Sequence, residues 1–272
     1  MSFRDTIIDG ALAVDGPLRT SSEGHGTVPL GRHARVDDQG ASKSFKIRAA
    51  DTAGCRSSAN ILIKRRYAWR GYEASNLAEA ETLDAITLLA SDDDAIIGTL
   101  SIGFDGPDGL QVEELFSTEV RGIRDAGVRV CEFTKLATDG IRASRRVLAF
   151  LFHVAYIYAY RVKGVDCVLI EVNPRHVRYY ERILGFKTVA RERMNLRVNA
   201  PAVLLCLHFS HTEQQIRKFG GQPHLSTTEH SLYPYSFSVK EEAAIVARLM
   251  ASGGARRPIA HRHRANASYV NA

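Results

Sequence analysis

The chain lacks what a membrane span or an export signal would need. No stretch of its 272 residues reaches the ~18 consecutive apolar positions of a spanning helix. The amino terminus, MSFRDTIIDGALAVDG, has no basic segment followed by an apolar one. The expectation is a cytoplasmic protein without integral membrane association. Cysteine is scarce: Cys55, Cys131, Cys167 and Cys206 lie far apart, the last three inside apolar runs. That spacing supports neither a disulfide framework nor a zinc site, and buried thiols are the simpler reading. No G-x-S-x-G elbow is present and the ten histidines are scattered, so a serine nucleophile has no support. Acids are missing from the last segment, Ser252 to Ala272, which carries four arginines, whereas residues 1–44 sum to −1. Of the net charge of +6, only +3 is left for the body between them. Nucleic acid recedes as a partner, because the basic excess is mostly a tail and not a stripe on a fold. His261 and His263 sit between arginines of that tail and are not read as metal ligands; no metal is expected.

What is present is ordinary globular material, 45% hydrophobic and 24% charged. Residues 1–44 hold no sustained period of 2 or 3.6 and read as a mobile arm. Order is expected from Phe45, where FKIRAA alternates like a strand. An amphipathic helix over Ser58–Arg70 then carries Lys64, Arg65, Arg66 and Arg70 on a basic face. Ala85–Ala90 and Ala95–Phe104 form a hairpin around Ser-Asp-Asp-Asp. A helix over Leu115–Ala126, a strand over Val128–Ala137 and a long helix over Gly140–Lys163 follow. Val165–Val172 is almost continuously apolar, as a strand covered on both faces should be. Pro174 opens a further helix that stops at Gly185. Strands over Phe186–Met194 and Ala202–Phe209 come next, then helices over Thr212–Lys218 and Ser238–Met250. The organisation predicted is a mobile arm (1–44), one α/β domain (45–220), a helical extension (221–251) and a basic disordered tail (252–272).

The most informative stretch is VLIEVNPRHVRYYERILGFK, Val168 to Lys187. A buried strand runs into Asn173-Pro174, where proline suits the first helical position and the asparagine side chain can cap the donors that follow. An apolar and aromatic stripe then leads to Gly185-Phe186. This piece resembles the fifth strand and fourth helix of the GNAT acyltransferase fold, whose helix ends in an aromatic-Tyr-Glu-Lys/Arg-Leu-Gly-Phe string. Here four residues separate Tyr180 from Gly185 where the common form has three, so Tyr179 stays an alternative to Tyr180 as a thiol-protonating group. Acetyl-CoA-dependent members of that fold bind diphosphate on an Arg/Gln-x-x-Gly-x-Gly/Ala loop at a helix start. This chain has ATDGIRAS at Ala137–Ser144, with one glycine, and Asp139 puts an anion where the diphosphate would lie.

With LIKRRYAWRGY (Leu62–Tyr72) and CEFTKLATD (Cys131–Asp139), these features resemble the FeeM-type long-chain N-acyl amino acid synthases, relatives of the acyl-homoserine-lactone synthases. The resemblance spans about Phe45 to Phe219. It implies an α/β (α+β), GNAT-like fold: a mixed, mostly antiparallel central sheet whose fourth and fifth strands are parallel and splayed, flanked by helices. It implies transfer of a long acyl chain from acyl carrier protein to the amine of a free amino acid. The donor is then an acyl-phosphopantetheine, acyl-CoA being the other possibility, and no cofactor is tightly bound. It also implies that the chain beyond Gly220 is peripheral to the chemistry. The alternatives are acylation of another small amine, of ornithine or homoserine-lactone type, and a non-catalytic module that binds carrier protein or acyl chain.

Site expectations follow. Arg142, Arg145 and Arg146 head the long helix and are candidates for the single phosphate of the donor, while the basic face of the first helix is a candidate for the acidic carrier. Glu132 and Lys135 are similar to the Glu-x-x-Arg element of the lactone synthases. Three apart on a regular strand they would face opposite ways, and a bulge would realign them. An α-amine, with a pKa of about 7.7–8.0, is largely protonated near neutrality and benefits from a base. Glu132 is the first candidate and Glu171 the second. The oxyanion is assigned to main-chain N–H groups around Phe133, Thr134, Lys135, Leu136 and Ala137. Asn173 and His176 are candidates for acceptor contacts. Phe133, Ile170, Phe150, Leu151, Phe152, Val154 and Tyr158 are candidates for lining an acyl channel.

Overall fold

The computed structural model describes residues 8–12, 43–50, 52–69, 71–72, 85–92, 95–140 and 143–252. Eight strands form one sheet in the order β1-β2-β3-β4-β5-β6-β8-β7. They are β1 (Ile8–Leu12), β2 (Lys43–Ala49), β3 (Ala85–Asp92), β4 (Ala95–Phe104), β5 (Val130–Thr138), β6 (Cys167–Val172), β7 (Lys187–Asn195) and β8 (Ala200–His208). Every neighbouring pair is antiparallel except β5 and β6. The expected fourth and fifth strands are therefore β5 and β6, the count having moved by one. Ile8–Leu12, inside the segment read as a mobile arm, adds an edge strand to β2. The rest of that arm up to residue 42, and residues 253–272, lie outside the described residues.

Alternation along the strands sorts their side chains between two helical layers. On one face, α1 (Ala53–Trp69) and α2 (Glu113–Asp125) cover Ala137 and the cluster of Val130, Cys167, Leu169, Leu204 and Cys206. On the other, α3 (Arg145–Tyr156), α4 (Val177–Leu184), α5 (Phe209–Phe219) and α6 (Val239–Ser252) pack with Phe133, Val168, Ile170, Val203 and Leu205. The three cysteines expected to be buried are so, and all four are free thiols. No helix among the described residues is long and apolar enough to cross a membrane.

α3 is shorter at its start than the periodicity predicts. Ser144, with extended backbone, accepts from Val147 N–H and begins the helix there. At the other end the helix continues as π-turns over Ile157–Val162. Close approach of α3 to the sheet depends on Gly98, where a Cβ would come within 2.9 Å of Leu151 Cδ1. α4 ends as predicted on Gly185, whose φ of 83° is a left-handed cap.

The segment after Gly220 belongs to the core. Leu232, Tyr233, Tyr235, Phe237, Ile245 and Leu249 are buried in the cluster that contains α3. Phe237 stacks on Phe150 at 4.1 Å, and Tyr233 donates to Leu184 O (2.7 Å). A charged clasp holds α6: the carboxylate of Glu242 meets His153 Nε2 (3.1 Å) and Arg161 Nε (2.7 Å), and Arg161 also reaches Glu213 (3.0 Å).

Candidate active site

β5 and β6 pair at three positions, Val130 with Cys167, Cys131 with Val168 and Glu132 with Leu169, and then diverge. On the β4 side the register of β5 slips between Thr134 and Ala137: one β4 residue, Leu100, faces two β5 residues, Lys135 and Leu136. The irregularity falls at Lys135 and Leu136, with Glu132 to Thr134 still in regular register opposite Gly103 to Ser101. Lys135 adopts φ 52°, and the Thr99 hydroxyl donates to its carbonyl (2.8 Å), fixing the distortion. β6 ends at Val172, and the side chain of the next residue, Asn173, accepts from Arg175 N–H while Pro174 starts a short 3₁₀ turn. The divergence opens a cleft of about 160 Å³.

Eleven of the candidate residues line it: Glu132, Phe133, Thr134, Lys135, Leu136, Phe152, Ile170, Glu171, Asn173, His176 and Tyr180. Ala137 does not; it packs under α1 with Leu62 and Ile63. Arg142 lies outside the described residues. Arg145 and Arg146 are turned to other work. Arg145 donates to the carbonyls of His230 (2.7 Å) and Ser231 (3.1 Å) and lies over Tyr235, tethering the C-terminal segment. Arg146 lies over the face of Phe150. Of the channel candidates on α3 and its π-turn continuation only Phe152 reaches the cleft; Phe150, Leu151, Val154 and Tyr158 are buried in the core cluster.

The two carboxylates differ in surroundings. Glu132 is 4% exposed. Its Oε1 accepts from Gln111 N–H and its Oε2 from Val112 N–H, both at 2.9 Å, so it ties the start of α2 to β5. Burial raises its pKa, and these two N–H bonds oppose the rise. Gly103, opposite on β4, leaves room for this carboxylate: a Cβ there would lie 2.9 Å from its Oε1. Glu171 instead takes partners from the β7–β8 turn. Asn195 Nδ2 donates to its Oε2 (2.6 Å), and Arg197 Nη2 lies 3.2 and 3.3 Å from its two oxygens. Burial pushes the Glu171 pKa up to about 7 against the pull of Arg197 and the Asn195 bond, with the negative charges of Glu132 and Glu114 adding to the rise.

Asn195 and Arg197 line the cleft and were not expected there. They follow Glu171 by 24 and 26 residues. Only the antiparallel β6–β8–β7 register brings their turn back over the end of β6. The opposite wall is apolar. Phe133 lies against Phe152 and Phe209, and Tyr180 meets Phe152 and Phe186 edge-on. Near the loop that follows β5, Arg65 of α1 pairs with Asp139 at 3.2 Å, and the guanidinium of Arg66 covers Gly140.

A mixed sheet whose two parallel strands part at a bulge, with a cleft in the gap, is the GNAT-like acyltransferase fold. Within that class the family model of the N-acyl amino acid synthase FeeM matches residues 58–208, more than half of the sequence. The chain belongs to the FeeM family of acyltransferases. Among solved structures it is similar to FeeM, an N-acyl amino acid synthase from uncultured soil microbes, at 26% identity and a TM-score of 0.56, over 61% of this chain and 92% of that one. A putative N-acetyltransferase from Lactobacillus plantarum matches at 16% identity and TM-score 0.45, over 60% of this chain and 97% of its own. The AHL synthase LasI matches at 11% identity and TM-score 0.44, over 60% of this chain and 89% of its own. No curated protein sequence matches.

Proposed function

We propose that this acyltransferase moves a long acyl chain from acyl carrier protein to the α-amine of a free amino acid. The observation that carries the reading is the partition of the cleft: a carboxylate with its pKa near neutrality stands on one wall, beside splayed strands, and apolar side chains stand on the other. The acyl chain of the donor lies along Phe133, Phe152 and Ile170. Glu171 takes a proton from the acceptor's ammonium, and the freed amine attacks the thioester carbon. Main-chain N–H groups of β5 around the bulge hold the oxyanion; such a donor is typically worth about 2.7–4 kcal/mol. On collapse the C–S bond breaks and the amine's second proton passes to the departing thiolate. A thiol pKa of about 8.5 makes this an easy leaving group, and Tyr180 is then an aid and not a requirement.

Of the two carboxylates considered as base, Glu171 fits the role better. Glu132 has both oxygens held by backbone N–H groups and acts as a strut. The carrier-bound donor is favoured over acyl-CoA by Asp139, whose charge stands in the loop where a diphosphate would need bare N–H groups. Lys64 and Arg65, on the exposed side of α1, offer the carrier a cationic surface. The test is incubation of the protein with palmitoyl-carrier protein or palmitoyl-CoA and the twenty amino acids, with products read by mass spectrometry. An N-palmitoyl amino acid formed mainly from the carrier-bound donor is the expected result. Saturable carrier binding without product would reduce the protein to a binding module.

A further inference from the structure

Arg197 sits at the β7–β8 turn, between Asn195 and Ala200. Its backbone N–H donates to Asn195 Oδ1 (2.9 Å), and the same asparagine donates to Glu171. The turn and the end of β6 are therefore sewn together through one amide side chain. The guanidinium is held unevenly. A full fork against a carboxylate would use two nitrogens, one per oxygen. Here Nη2 alone spans both oxygens of Glu171. Nε lies 3.0 Å from Glu114 Oε2 but is not aligned to donate to it, and Nη1 is buried with no hydrogen-bond partner among the described residues. Buried guanidinium donors are seldom left so, and two unmet donors on a residue that lines the cleft leave its guanidinium short of acceptors.

We propose that Glu171 and Arg197 form a clamp for a zwitterion, in which the Arg197 guanidinium takes the carboxylate of an α-amino acid while Glu171 takes a proton from its ammonium. The inference rests on the acyl-transfer reading above and names what makes a free amino acid the acceptor. An α-amino acid bears both its charges on one carbon. The cleft presents the opposite charges side by side, and one bound molecule satisfies the pair without altering the net charge of the site. A plain amine leaves the guanidinium without a second carboxylate; an ester or amide offers it only a neutral oxygen. Each should be a weaker acceptor, since a site built around a polar group rejects analogues lacking it.

The test is steady-state kinetics of the full chain with palmitoyl-carrier protein and three acceptors: the preferred amino acid, its α-amide and its decarboxylated amine. Wild type should favour the acid by about 100-fold in kcat/KM. Arg197→Met should lower kcat/KM for the acid by a similar factor, mostly through KM. The amide and the amine should lose only the part that all three acceptors share through the lost Arg197–Glu171 pairing, so the preference for the acid collapses. Arg197→Lys should recover part of the acid's KM, a lysine being a cation without the planar fork. Equal losses for all three acceptors would overturn the clamp and leave Arg197 as a positioning residue for Glu171. A wild type that uses amide and acid equally would overturn it without any variant, which covers the case of Arg197→Met failing to fold. If wild type acylates amines but no amino acid, the acceptor reading itself falls and the clamp with it. If it acylates nothing, binding of N-decanoylglycine against its methyl ester still decides: equal affinity removes the clamp.

Discussion

On the α2 side of the gap between β5 and β6 stand Glu132, Glu171, Asn195 and Arg197; on the α3 side stand Phe133, Phe152, Ile170 and Tyr180. Half of each set comes from the same two strands, one residue out of phase: Glu132 precedes Phe133, and Ile170 precedes Glu171. The polar wall is held by directed bonds, 2.6 Å from Asn195 to Glu171 and 2.9 Å from two backbone amides to Glu132. The apolar wall is held by ring contacts. A thioester lying in the gap would meet hydrocarbon on one side and a proton acceptor on the other. The difference teaches that period-two alternation, harmless in a closed sheet, becomes a division of labour where two parallel strands part.

The largest expected effect tests whether the polar wall owns the chemistry. Glu171→Gln should reduce kcat by about 100-fold or more while carrier binding is unchanged, as measured by single-turnover assay and by titration of the carrier. The same group sets the pH dependence. With its pKa raised to about 7, Glu171 is protonated and idle below that value, so wild-type kcat/KM should fall about tenfold per unit below pH 7 and level off above it. A profile whose acid limb lies near pH 4.5 would remove Glu171 as base. Next, Glu132→Gln separates strut from base. It should lower stability by about 1–3 kcal/mol in denaturant titrations, because an amide cannot accept from both Gln111 and Val112 without placing a donor against a donor. Its loss of kcat should be well below that of Glu171→Gln, and equal losses would restore Glu132 to the chemistry.

A smaller effect probes the apolar wall. Phe152→Leu should cost up to about tenfold in kcat/KM with palmitoyl donors and little with a butyryl donor, the penalty growing with chain length. A uniform loss would make Phe152 a core residue only. The smallest concerns the mouth. Asp139→Asn removes an exposed ion pair with Arg65 and should change stability by less than about 1 kcal/mol. It should improve palmitoyl-CoA as a donor relative to the carrier-bound form by a few-fold, and no change would mean that Asp139 does not discriminate donors.

Much of this comparison is legible in the sequence. The Glu-Phe and Ile-Glu steps can be read from CEFTKLATD and VLIEVNP, and Asn173-Pro174 marks the end of β6 from the capping and ring geometry of those two residues alone. The bulge at Lys135 follows from the need to realign a strand, although nothing in the residue type announces a positive φ there. The partners of Glu171 are hidden for a different reason. Asn195 and Arg197 sit in RMNLRVNAP, which reads as a plain turn, and their position depends on a register with two irregularities along β7. Arg145 misleads in the same way. A basic residue at a helix head suits an anion, but two backbone carbonyls from a segment 85 and 86 residues away compete for it. Ile8–Leu12 is invisible because a short edge strand needs no alternation to pair. Tyr233 to Phe237 carries no period either, since a 3₁₀ turn followed by extended chain buries its aromatics one at a time.

The docking of that last segment bears on how the protein must be handled. The match to the family stops at residue 208, and a length trimmed to it would look like a tidy catalytic unit. Such a length would uncover the outer surface of α3, where Phe150 stacks on Phe237, and leave Arg161 without Glu213 and Glu242. An apolar helix face of that size invites self-association. Expression boundaries, crystallisation fragments and fusion junctions placed on the C-terminal side therefore belong beyond Ser252, with α6 kept intact.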